Sequence, residues 1–363
     1  MARRISTKIL LFLPTERNIK TTNMRKVFVL LSFAALASCS TDIDLYADYK
    51  QIPIIYGLLD ARADTNFIKI TRSFYTEGDA YQVAVNPDSS NYPGKLDVRL
   101  VEYCNNDSIR EIILDTITKH TKEQGVFYAP SQKLYYTTER LHLNSANQRY
   151  SYRLKVVLPD RTLSTKAKIV GDSHFGIQSL GVNFSKAYIG ALPRKFRFHP
   201  AINAKFYEVE MKFTFQEQRT PDSDSVPRTM SWRVGTWMEQ DLANSMEEDC
   251  YVFRYYPSAF YDKLTEFIGG DTAIVGLKRY ISDYPVEVVI SAGGEHLWHY
   301  VYTNNGGAGF VPGDATFSLI DDAQGVFSSR ITSRSLVRLA GETVPDLVSM
   351  TSYGFVFIGG DDK

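Results

Sequence analysis

Cysteine is nearly absent: the 363 residues include three, Cys39, Cys104 and Cys250, and none stands in a C-x-x-C spacing. That excludes zinc ribbons, thioredoxin-like redox centres and a disulfide-rich scaffold. Net charge is also missing, since 41 Lys and Arg balance 41 Asp and Glu, and no long basic run occurs. Binding nucleic acid through its phosphates needs a concentrated positive face, so no nucleic-acid partner is expected. Beyond residue 39 no apolar stretch is long enough to cross a bilayer as a helix. Catalytic signatures are lacking too. There is no G-x-S-x-G elbow, no H-E-x-x-H and no P-loop, and the six histidines are scattered. Neither an enzyme nor a cofactor is expected.

One long hydrophobic run is present. Met24–Cys39 reads MRKVFVLLSFAALASC: Arg25 and Lys26 precede an apolar stretch from Val27 to Ala37, and small residues close it. A basic start, a short apolar core and a small-residue end make a secretory signal peptide rather than a membrane span. Leu36-Ala37-Ser38-Cys39 matches the lipobox of bacterial lipoproteins, in which the cysteine thiol is lipidated and cleavage falls just before it. Cys39 is therefore the expected lipidation site and the expected tie to a membrane. Residues 1–38 read as an over-extended start, with a shorter apolar stretch broken at Pro14, followed by the signal peptide. Met24 is the simpler start.

Residues 39–51 are polar and acidic, as suits a flexible tether. Strand patterning then begins. Asn66–Arg72, Leu96–Tyr103 and Tyr150–Val156 alternate apolar and polar residues, and turn clusters such as 86–91 and 158–161 separate such runs. Short strands with regular turns predict a β-sandwich over 52–172. A second β domain is expected over 173–363. It includes Lys195–Phe198, a corner at 199–204, Phe206–Phe215, a polar hairpin tip at 219–228, and strands at 325–330, 335–339 and 354–358. The corner resembles the B–C corner of fibronectin type III-like domains, so the expected class is mostly β with two Ig- or fibronectin-like sandwiches. Two helices interrupt the second. One spans about 258–268, capped by Ser258 and stopped by Gly269-Gly270, and the other 294–303.

Little of this carries chemistry. Cys104 and Cys250 could form a disulfide in an oxidising compartment, although two separate thiols are the favoured arrangement. His296 and His299 lie three apart on a predicted helix, without a third metal ligand in sight. The chain is rich in aromatics, with 23 Tyr and 21 Phe. Most are expected in cores, but the crowd from Tyr251 to Tyr261 exceeds what one buried face needs. Tyr255, Tyr256 and Tyr261, with Trp298 on the second helix, are the candidate ligand-binding residues.

The lipobox and acidic tether, then Ile55-Tyr56-Gly57-Leu58-Leu59-Asp60 and Ile68-Lys69-Ile70-Thr71-Arg72-Ser73-Phe74, resemble a group of Bacteroidetes outer-membrane lipoproteins carrying a domain of unknown function. Glu295-His296-Leu297-Trp298-His299-Tyr300 and Gly325-Val326-Phe327-Ser328-Ser329 fit the same order. The resemblance implies an outer-membrane lipoprotein, facing the periplasm or the cell surface, whose genes often neighbour TonB-dependent transporters. It implies no catalytic residues. It also implies O-glycosylation at Asp-(Ser/Thr)-apolar triplets, which place Ser108, Thr116, Ser225 and Thr272 as candidates, Ser225 first. The expected function is a non-catalytic binding or accessory subunit of a transport or surface complex, with a TonB-dependent barrel as partner. A structural or adhesive, fimbria-like protein is the alternative, and a hydrolase the most remote one.

Overall fold

The computed structural model describes residues 51–76, 78–190, 193–270, 274–304 and 320–359. The signal peptide, Cys39, nearly all of the tether and Thr272 lie outside these residues.

The first half runs through β1 (Pro53–Leu59), β2 (Asn66–Arg72), the short helices α1 (Ala80–Ala84) and α2 (Pro87–Ser90), β3 (Asp97–Cys104), β4 (Asp107–Ile113), β5 (Asp115–Lys119), β6 (Gln132–Thr137), β7 (Tyr150–Val157) and β8 (Thr162–Lys168). Strands β4-β3-β7-β8 form one antiparallel sheet. It faces β1, β2, β6 and β5, which belong to a second sheet. The period-two patterning explains the packing: Ile55, Leu59, Ile68 and Ile70 from one sheet meet Val98, Leu100, Leu154 and Val156 from the other in a single buried cluster.

The second half contains β9 (Gly176–Ile177), β10 (Gly181–Val182), β11 (Arg194–His199), β12 (Phe206–Gln218), β13 (Val226–Met238), α3 (Glu239–Ala243), β14 (Tyr251–Tyr255), α4 (Pro257–Ile268), β15 (Lys278–Ile281), β16 (Val286–Gly293), α5 (Glu295–Asn304), β17 (Gln324–Leu339), α6 (Thr343–Ser349) and β18 (Phe355–Phe357). The large sheet runs β18-β15-β12-β16-β17-β1-β2-β6-β5, with β13 on the other edge of β12. A three-stranded sheet, β14-β11-β9, and α4 cover it and enclose a second cluster dominated by aromatics, among them Phe184, Phe196, Phe213, Phe253 and Phe260. Phe184 and Phe260 stack with centroids 4.2 Å apart.

The protein is thus mostly β, built of packed sheets with few helices. The core changes hands at Ile169, which belongs to one cluster, and Val170, which belongs to the other, three residues before the boundary expected at 172/173. The large sheet nevertheless crosses it. Residues from Gln51 onward form one compact unit, joined through β17. Its start, Gln324–Ser329, pairs in parallel with β1, and its remainder, Arg330–Val337, pairs antiparallel with β16. The sequence pattern divides this stretch into two strands, 325–330 and 335–339, with a break over Ile331-Thr332-Ser333-Arg334. The structure keeps it as one strand, because small β-compatible hydroxyl residues alternate faces without interrupting the ladder, with Ser333 buried and Arg334 exposed.

Helix α4 forms where the apolar spacing places it, with Phe260, Leu264 and Ile268 buried at four-residue intervals. Its start differs from the expected Ser258 cap. Pro257 is the first helical residue, Tyr256 holds the cap position without a side-chain hydrogen bond, and Gly269 ends the helix at φ 59°. The corner after β11 is pinned by Tyr207, whose hydroxyl accepts from the Ala201 N–H (2.9 Å) and donates to its carbonyl (3.3 Å).

Gly325 is what lets β17 approach β1. It sits at φ 106°, and a Cβ there would lie 2.0 Å from the Ile55 carbonyl oxygen. Gly94 has φ 71° with open space around it. Gly94→Ala is therefore expected to cost about 1 kcal/mol of backbone strain alone. Gly325→Ala should cost more than about 3 kcal/mol, because the strand pairing itself must shift. Urea denaturation of both variants checks this, and equal losses would count against the close approach.

Candidate functional site

A cavity of about 630 Å³ opens where the two clusters meet, within the range typical of small-ligand sites. Six segments far apart in sequence build it, two of them the turn at Asn105 and Asn106 and the strand residue Ser328. Tyr150 and Ser151 begin β7, and Lys166 and Lys168 end the neighbouring β8. Asn203 and Lys205 come from the corner before β12, and Gly294, Glu295 and His296 open α5. The charged lining consists of Arg149, Lys166, Lys168 and Lys205 against the single carboxylate of Glu295. In a chain of zero formal charge this is a local concentration of positive charge.

The walls are held by backbone-directed hydrogen bonds. Asn105 and Asn106 form the tight turn between β3 and β4, both at positive φ (49° and 81°), a conformation Asn tolerates. Asn105 Oδ1 accepts from the Arg149 N–H at 2.9 Å, and its own N–H donates to the Arg149 carbonyl at 2.9 Å. Asn203, also at positive φ, donates from Nδ2 to the Ile169 carbonyl at 2.8 Å. Ser329 clasps the end of β8: its hydroxyl donates to the Lys168 carbonyl (2.6 Å) and accepts from the Val170 N–H (2.8 Å). Ser328 Oγ accepts from Leu297 N–H (3.1 Å), satisfying a free donor in the first turn of α5. His296 donates from Nδ1 to the Phe327 carbonyl at 3.1 Å, leaving Nε2 as an acceptor. Lys166 lies over the Tyr103 ring, its ammonium 4.7 Å from the centroid.

The aromatic candidates are not brought together. Tyr255 and Tyr261 belong to the aromatic core and are 5 % and 8 % exposed. Tyr255 is fixed by accepting the Asn183 N–H at 2.8 Å. Of the aromatics in that stretch Tyr256 alone is well exposed, at 58 %. The local surplus of rings that marked the segment is absorbed because a strand and a helix bury it into the same cluster. Trp298 packs elsewhere, half-buried against Phe206 and Tyr302. Cys104 and Cys250 are both free thiols, so the disulfide does not form. Cys250 instead faces His199, Sγ to Nδ1 3.6 Å. Ser108 and Ser225 are exposed and Thr116 is half-buried. Among the cavity residues, the sequence motifs single out Glu295, His296 and Ser328. Lys166 and Lys168 did leave a trace: two lysines at i and i+2 on a strand share its outward face.

Two buried ion clusters lie elsewhere. Glu102, fully buried, accepts from Tyr152, from Arg110 and from His142 Nδ1 (2.6 Å). Glu217 is likewise buried and accepts from Arg279 (2.9 Å) and Arg228 (2.9 Å). Burial pushes both carboxyls up, but the hydrogen bonds and the neighbouring guanidinium charges outweigh it and hold both below the usual carboxylate range. These are structural pairs tying neighbouring strands together. Arg279, itself wholly buried, also donates to the Tyr353 carbonyl at 2.6 Å.

No protein-family model matches the chain, and no curated protein matches it.

Because the two carboxyls have lowered folded-state pKa values, their ionised forms stabilise the fold above the unfolded value of about 4.3, and this is lost as pH falls through the folded values. Glu217→Gln should destabilise by about 3–5 kcal/mol near neutral pH by leaving buried Arg279 without its counter-charge. Its stability should then fall less than that of the wild type on acidification. Parallel pH profiles in urea denaturation would overturn the assignment. Tyr255→Ala and Tyr261→Ala should each cost about 3–5 kcal/mol, whereas Tyr256→Ala should stay within about 0.5 kcal/mol. Thermal melts of the three variants check the order.

Proposed function

We propose that this chain is a lipid-anchored, non-catalytic binding subunit working beside an outer-membrane transporter or surface complex. The observation that carries the reading is the cavity at the seam of the two cores, a small-ligand-sized recess whose lining is rich in cations and amides. In this reading Cys39 carries the acyl chains and residues 39–51 hold the folded body away from the lipid. Among the described residues no helix is long and apolar enough to cross a membrane. The likeness to Bacteroidetes outer-membrane lipoproteins supplies the partner, a TonB-dependent barrel, and the ligand is then that barrel's cargo.

A structural or adhesive role is the second reading, and β13 favours it. This strand of 13 residues is hydrogen-bonded to β12 and, among the described residues, to no strand on its other edge. An edge of that length is a template for strand addition from another chain.

Gentle detergent extraction of the tagged native protein, followed by mass spectrometry of what co-purifies, separates the two. A TonB-dependent barrel at near-equal amount is the expected result. A protein found alone, or only with copies of itself, would overturn the accessory role and bring the structural one forward.

A further inference from the structure

We infer that the cavity binds a small hydroxylated solute through an oxyanion group, a phosphate, sulfate or carboxylate. The inference rests on the binding-subunit reading and names its ligand class.

The charge is the first reason. Elsewhere the chain neutralises many of its cations internally. Arg99 is held by Asp97 and Glu111, Arg110 by Glu102 and Glu139, and Arg228 and Arg279 by Glu217. Around the cavity this pattern lapses. Among the described residues no carboxylate lies within ion-pair distance of Arg149, Lys166 or Lys168, and Lys205 reaches Glu239 only at 3.5 Å. A cavity of this volume is about one Debye length across at physiological salt, so an anion inside it feels all four cations together.

Edge-strand lysines have another use, since they deter strand-to-strand aggregation, and β8 is the edge of its sheet. That explains Lys166 and Lys168 alone. It does not explain Lys205, from the corner before β12, or Arg149, from the turn before β7, whose guanidinium also donates to carbonyls of its own turn, Ser145 and Ala146. Both come from segments whose backbones are tied down there: Arg149 through Asn105, and Lys205 by donating its N–H to the Gly293 carbonyl at 2.8 Å. The Tyr103 ring under the Lys166 ammonium likewise restricts it. Pre-organised cations lose less freedom on binding than free surface lysines do.

The remaining lining narrows the class. Glu295 would repel a bare anion and has no reason to stand in a site for a polyphosphate. It is suited to accepting hydrogen bonds from hydroxyl groups. Asn203, with Nδ2 committed to the Ile169 carbonyl, has its Oδ1 left to accept, and His296, with Nδ1 committed to Phe327, has Nε2. Cations and acceptors in one recess of about 630 Å³ match a solute the size of one or two sugar rings that bears one acidic group.

Isothermal titration of the full-length protein in detergent tests this with glucose 6-phosphate, glucuronate, glycerol 3-phosphate, inorganic phosphate and uncharged glucose. Glucose 6-phosphate or glucuronate should bind at least about tenfold tighter than glucose, and raising salt should weaken them. Lys166→Gln and Lys168→Gln should each weaken them about tenfold, the effect of one charge-assisted contact, with melting temperatures unchanged. Glu295→Gln should lower affinity for glucose 6-phosphate more than for inorganic phosphate. Glycerol 3-phosphate binding as tightly as glucose 6-phosphate assigns the oxyanion to a lipid headgroup, and weaker binding assigns it to a soluble sugar acid. Either ranking supports the oxyanion site. No binding of any charged probe, glucose binding equally well, or lysine variants that bind like the wild type would overturn it. A barrel that co-purifies while no charged probe binds overturns this inference alone. A solitary protein that still binds glucose 6-phosphate overturns the accessory role alone.

Discussion

The parallel pairing of β1 with the start of β17 is the constraint on which the rest depends. Leu58 and Leu59 align with Ser328 and Ser329 across that ladder. The same strand continues past Arg330 into an antiparallel ladder with β16, so one uninterrupted backbone serves two cores. Phe327 points into the first cluster and Ile331 and Val337 into the second. Because successive side chains along a strand face opposite ways, a slip of one residue in β17 would misplace apolar side chains in both clusters at once. Two halves with separate hydrophobic interiors are thereby locked in one register.

The cavity is a consequence of that locking. Where one core ends at Ile169 and the other begins at Val170, apolar packing has to change partners, and the polar side chains of β17 occupy the gap. Ser329 holds the end of β8 and Ser328 holds the first turn of α5, so the two serines fix the distance between the lysine-bearing edge and the helix start. Both are buried, and the hydroxyls make the hydrogen bonds that an alanine or valine could not. The opposite walls of the recess are thus fastened to one strand.

Local patterning was legible in the sequence, and long-range assembly was not. Asn66–Arg72 has the same bounds as a strand in the pattern and in the fold, because its alternation is strict and one face is buried. Pro257 and Gly269 delimit α4, and the helix starts one residue before the 258 that the pattern predicts, since a serine cap and a proline at the first turn compete for the same segment. Tyr255 and Tyr261 misled because a dense run of aromatics has the same composition whether a sheet covers it or solvent does. The recess was harder still. Its cations come from positions 149, 166, 168 and 205, and only the topology of β7, β8 and β12 makes them neighbours. The one local hint, Lys166 and Lys168 on one face of a strand, reads equally well as edge protection.

Electrostatics separates these readings better than composition does. A chain with equal numbers of acids and bases can distribute them as mutual pairs, and much of this one does: Glu102 and Glu217 each gather guanidinium partners at buried sites, where an unpaired charge would be costly. At such sites the charge serves the fold. At the seam, among the described residues, no buried acid draws Arg149, Lys166 or Lys168 inward, and like charges brought together repel. A cost tolerated in one recess, beside a fold that pairs charges elsewhere, is the electrostatic basis of the oxyanion site inferred above. Zero net charge and a cationic recess are then compatible, because recognition depends on the local field and not on the total.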